Sequence, residues 1–168
     1  MSQTQTSPRT AVAGLPGAEV IGGIRRLLIA AALAAFVYPA FMMSSRGYCP
    51  GGVDGSGGFI DASGQPVDEA VTCIQLNLEP SPLMYVGIAL IVYLGVGRIR
   101  KASDELTALR MLRRSAVATL ALVAVAIVVS QVWFFLVPIH DFSGESWTVF
   151  SPFPFGNIHV DISPWETS

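Results

Sequence analysis

Three apolar runs dominate the chain. The first is Leu27–Met43 (LLIAAALAAFVYPAFMM), the second Leu83–Gly97 (LMYVGIALIVYLGVG) and the third Ser115–Val137 (SAVATLALVAVAIVVSQVWFFLV). None of them holds an Asp, Glu, Lys, Arg or His. About 20 apolar residues cross a hydrocarbon core of roughly 30 Å, which the third run meets outright. The first does so with help from Ile24 and its flanks. The second is short, so the approach Leu76–Leu83 contributes, its ends snorkel, or it is re-entrant. The pattern predicts transmembrane helices over residues 24–44, 83–98 and 115–137, with Pro39 kinking the first. Burying all three as core helices of a soluble protein would need polar layers that 168 residues cannot supply.

Shorter periods fill the intervals. Leu106, Leu109 and Leu112 recur at threes behind Ser103, Asp104 and Glu105. This predicts a helix N-capped at Ser103, acids at its positive end, running from Asp104 to about Val137. Ile74, Leu76 and Leu78 alternate with Gln75 and Asn77, as Ile158, Val160 and Ile162 do with Asn157, His159 and Asp161. A period of two marks strands with one covered face. A turn is expected at Asp61–Pro66, and Trp147–Phe150 is β-prone, with Pro152 and Pro154 after it. The expected fold class is a membrane all-α core of three transmembrane helices. Above it sits a small extracytoplasmic β-rich cap, formed by the first loop (45–82) and the C-terminal tail (138–168). Phe142, Trp147, Phe150, Phe153, Phe155 and Trp165 would form the cap's core or dip into the membrane interface. Residues 1–23, without periodicity, are expected as a disordered cytoplasmic arm.

Composition supports the membrane reading and charge orients it. Hydrophobic residues make up 52% of the chain and charged ones 13%, about half the usual share of a soluble domain. Arg9, Arg25 and Arg26 precede the first run, and Arg98, Arg100, Lys101, Arg110, Arg113 and Arg114 separate the second from the third. Arg46 alone lies in the remaining loop and tail, where most of the acids fall. The positive-inside rule then places the N-terminus in the cytoplasm and the C-terminus outside, in a plasma membrane. Apart from Arg9 and Arg46, the basic residues would anchor the inner face to lipid headgroups, Arg98 to Arg114 as a basic loop and helix start (99–114). The preference for Arg, with abundant Ala, Val and Gly, suits a GC-rich bacterial genome. A cleaved signal peptide is the competing reading of the first run, but AFMMSSRGYC offers no clean small-x-small site.

The candidate chemistry is sparse. Cys49 and Cys73, the only cysteines, are expected to form one structural disulfide in an oxidising compartment, since a redox pair would need a spacing such as CxxC. It would clamp a segment made costly to order by Gly51, Gly52, Gly55, Gly57 and Gly58. His140, His159 and Asp161 are the only residues resembling metal ligands, and the favoured reading is a solvated strand face rather than a metal site. No catalytic motif appears, no cofactor or nucleic-acid partner is implied, and the spans lack the ionisable residues a transporter places in the bilayer. Ala30/Ala34, Ala31/Ala35, Ser115/Thr119, and Gly87 with Gly95, let helices approach closely, and Gln131 would seek a hydrogen-bonding partner. A two-cysteine outer loop under a small β cap resembles claudin-like proteins in outline. Those have four spans and a tryptophan-containing motif before the cysteines, both lacking here, so the resemblance carries over no role. The expectation is a non-enzymatic accessory or structural subunit of a bacterial membrane assembly, meeting another membrane protein or its own copy. Trp147, Phe150, Phe153 and Phe155 are its candidate contacts. The alternative is an extracytoplasmic ligand- or metal-binding membrane protein.

Overall fold

The computed structural model describes residues 17–142 and 147–165. The expected arm over 1–16, and Glu145 and Glu166 among the outer acids, lie outside the described residues. Three helices form the body: α1 (Ala18–Met42, 25 residues), α2 (Pro82–Ile99, 18 residues) and α3 (Glu105–Leu136, 32 residues). Each is long and apolar enough to span a membrane. At 1.5 Å per residue even α2 reaches about 27 Å. It is one continuous helix, and α1 runs unbroken through Pro39.

Helix α3 packs against both other helices. Its buried stripe is Ala108, Leu112, Ser115, Thr119, Val123, Ala126, Ser130 and Phe134, and that of α1 is Leu27, Ala31, Ala34, Tyr38 and Met42. Steps of three and four keep each stripe on one face. The stripes are rich in small side chains, so the backbones can come close. The remaining faces carry large exposed apolar side chains, among them Phe36, Leu90, Tyr93, Val128 and Phe135. Helix pairing therefore leaves most of the apolar surface for a non-aqueous surrounding.

Helix α1 starts at Ala18, within the stretch expected to be disordered and six residues before the expected span. A Cβ at Gly23 would lie 2.7 Å from Leu112 Cδ1 and 3.2 Å from Leu109 Cδ2. Gly23 thus seats α1 against the start of α3. The N-cap of α3 is also one residue later than expected. Asp104 accepts from the Thr107 N–H at 3.0 Å, while Ser103 Oγ donates to Asp104 Oδ1 at 2.9 Å.

Among the described residues six strands accompany the helices: β1 (Ser44–Tyr48), β2 (Gly51–Val53), β3 (Phe59–Asp61), β4 (Pro66–Val67), β5 (Thr72–Pro80) and β6 (Gly156–Pro164). They form two antiparallel three-stranded sheets, β1-β5-β6 and β2-β3-β4. The first loop and the tail do join, with β5 and β6 paired from Thr72↔Pro164 to Pro80↔Gly156. The β-prone stretch Trp147–Phe150 enters no ladder. Beside it Ser151 Oγ accepts the Ile158 N–H at 2.9 Å, and Pro152 and Pro154 lack the N–H a strand must donate.

Candidate interaction surfaces

The larger sheet is attached to the bundle almost without slack. Met43 alone separates α1 from β1, and Ser81 alone separates β5 from α2. Ile74, Leu76 and Leu78 of β5 are fully buried and share one apolar core with Tyr38, Met42, Phe134, Val137, Ile139 and Phe142. The alternation on β5 directs these three inward and Gln75, Asn77 and Glu79 outward.

Side chains at this junction satisfy backbone groups that the helix ends leave open. The buried Tyr38 hydroxyl accepts from the Ser81 N–H at 2.8 Å and donates to the Phe155 carbonyl, tying α1 to the start of α2 and to the approach to β6. Tyr85 stands edge-on to the Tyr38 ring at 5.6 Å. Arg46 Nη1 lies 3.1, 3.2 and 3.3 Å from the carbonyls of Phe134, Phe135 and Val137. The basic residue that stood apart from the charge pattern is thus a cation at the negative end of the α3 dipole. Its guanidinium also lies 5.9 Å from the Phe135 ring centroid. Gln131 Nε2 donates to the Phe41 carbonyl at 2.7 Å, and Trp133 Nε1 to the Phe150 carbonyl at 2.8 Å.

The opposite face of the sheet is polar. On it Asn77 pairs with His159, Gln75 with Asp161 and Glu79 with Asn157. Asn77 Nδ2 donates to Asp161 Oδ2 at 3.0 Å, and His159 Nε2 lies 3.3 Å from Glu79 Oε2, both side chains more than half exposed. Exposed pairs of this kind contribute little to stability. His140 instead stands edge-on to Tyr48 at 5.0 Å. Among the described residues, no three or more His, Cys, Asp or Glu gather to hold a metal.

Cys49 and Cys73 are bonded, with 2.01 Å between sulfurs, at the base of the excursion that carries β2-β3-β4. Its two turns repeat one design: Asp54-Gly-Ser-Gly-Gly and Asp61-Ala-Ser-Gly-Gln. In each, the Asp carboxylate accepts from the N–H and hydroxyl of the Ser two residues on, and from the N–H four residues on. Gly57 and Gly64 hold the same turn position at φ 88° and 79°, where a side chain would be strained. These donors, led by the Ser hydroxyls, hold both carboxyls below their ordinary pKa.

The four aromatic candidates divide. Trp147 and Phe155 pack against the core, whereas Phe150 and Phe153 are exposed at 86% and 68%. Trp133, Leu136, Trp147 and Phe150 line a groove of about 320 Å³ beside the end of α3.

At the other end of the bundle Leu27, Gly95 and Ser115 meet. A Cβ at Gly95 would lie 2.6 Å from Ser115 Oγ and 3.5 Å from Leu27 Cδ2. The contact brings Arg26, Arg98 and Arg114 to similar depth on three helices. Arg25, Arg26, Arg98, Arg100, Lys101, Arg110, Arg113 and Arg114 are all exposed there. Among the described residues none of the eight forms an ion pair.

No family model, no curated protein and no solved structure matches this chain.

Proposed function

We propose that this chain is a three-span protein of a bacterial plasma membrane, with its N-terminus in the cytoplasm and the sheet-bearing end outside. It works without catalysis, as an accessory or structural subunit that presents the sheet end to another membrane protein or to a second copy. The observation that carries this reading is the junction. Two one-residue links, Tyr38 and Arg46 fix a sheet with a polar outer face onto helices whose other faces are apolar. Order of that kind suits a surface held ready for a contact. The charge division supports the orientation, since the eight exposed cations lie opposite the sheet, and the disulfide suits an oxidising outer compartment.

A photo-crosslinking residue in place of His159, and separately of Phe150, tests the reading in native membranes. The expected result is a discrete adduct heavier than the chain from at least one position, on protein that resists alkaline extraction. A lone monomer without adducts from either position contradicts the subunit role, and release by alkali contradicts the membrane reading itself.

A further inference from the structure

We infer that the end of α2 is a seat for one anionic phospholipid, its phosphate held by Arg98, Arg100 and Lys101 and an acyl chain lying along Tyr93, Leu94 and Val96. These six residues, with Gly97, line a cavity of about 510 Å³ that opens to the outside of the bundle. Tyr93 and Gly97 lie four residues apart on one face of α2, and Arg100 and Lys101 follow directly after its end at Ile99, so the groove runs from an aromatic ring, over a gap, to cations. The gap is real: a Cβ built on Gly97 meets nothing within 4 Å. Tyr93 is 75% exposed and Leu94 42%, so the groove has an apolar wall on its membrane side. Its other rim is cationic and none of its three cations is in an ion pair among the described residues.

Charge and shape agree on the occupant. A neutral apolar ligand would leave three cations without a counter-charge, and a small soluble anion would leave the apolar wall bare. A phospholipid phosphate with its chain satisfies both at headgroup depth. The carbonyl end of α2 points toward the same place, but its partial negative charge of about one half is outweighed by three full positive charges. Surplus attraction therefore favours a headgroup with net negative charge over a zwitterionic one.

The inference rests on the membrane reading above, and the experiment separates the two. The full chain is placed in nanodiscs of phosphatidylcholine with a minor share of phosphatidylglycerol, released into mild detergent, and weighed by native mass spectrometry. The wild type is expected to keep one phosphatidylglycerol in preference to phosphatidylcholine. Exchanging all three cations, Arg98→Gln, Arg100→Gln and Lys101→Gln, is expected to lower that preference about a hundredfold, at roughly tenfold or less per cation. Gly97→Leu keeps every charge and adds a side chain where there is open space, so the helix is retained, and it is expected to abolish retention by filling the gap. Retention by Gly97→Leu equal to wild type, or a triple variant that still prefers phosphatidylglycerol, overturns the seat. Failure of the wild type to enter nanodiscs overturns the membrane reading instead.

Discussion

The two ends of the bundle solve opposite problems. At the basic end, charge is spread over three helices, each cation is exposed, and the helices touch through small residues such as Gly95 and Ser115. At the sheet end, polar groups are fastened over long sequence distances. Tyr38 reaches Phe155 117 residues away, Arg46 reaches Phe134 88 residues away, and Gln131 reaches Phe41 90 residues away. One end is organised by what surrounds it and the other by what it bonds to. In the proposed membrane setting, lipid would hold the basic end, which then needs little internal bonding. A sheet that presents a polar face must be fixed from behind, because its stability rests on covering its apolar face.

The largest effect that could break this comparison comes from the disulfide. Cys49→Ser with Cys73→Ser opens a loop whose ends are 24 residues apart, a loss of about 3 kcal/mol in the chain-entropy model. Hydrogen exchange is expected to rise across β2, β3 and β4 while the α3 stripe stays protected. Equal loosening at both ends would mean they are not separate in kind. Next is Gly95→Leu, which forces a side chain into the space held by Ser115 and Leu27. About 2 kcal/mol of overpacking is expected, read as faster exchange in α2 and the first half of α3 with the sheet unchanged. Arg46→Gln leaves the carbonyls at the end of α3 without their cation, at about 1 kcal/mol. Its mark should be confined to β1 and the last turn of α3.

The smallest effect is acid sensitivity of the two Asp turns. Both carboxyls titrate below their ordinary value of 3.8. Their contribution is therefore complete above that value and is lost as the pH falls through the lower folded values. Acid is expected to raise exchange at Ser56, Gly58, Ser63 and Gln65 before it touches the β5–β6 ladder. The reverse order would show that the carboxylates do not hold the turns.

Particular residues show which features were legible in the sequence. The periods of Leu106–Leu112, Ile74–Leu78 and Ile158–Ile162 announced α3, β5 and β6, because burial on one face writes itself into spacing. Strand β1 was invisible, since Ser44, Arg46 and Tyr48 face inward without being an apolar set. The role of Arg46 was hidden for a related reason: a cap contributed by a distant strand leaves no local pattern. It stood out only as an exception to the charge rule, and that was the one available signal. Gln131 was different, because a lone amide in an apolar run implies a partner without saying which. Phe150 and Phe153 were grouped with Trp147 and Phe155 by residue type alone, and only packing separates the exposed pair from the covered one.

The central claim is that the two ends lie on opposite sides of one membrane. Single cysteines introduced as Gly55→Cys in the sheet-end excursion and Ala102→Cys beside the basic end test it, probed with a membrane-impermeant maleimide on intact cells. The account predicts labelling of Gly55→Cys on intact cells and of Ala102→Cys only after permeabilisation. Labelling of both on intact cells, or of Ala102→Cys alone, contradicts it.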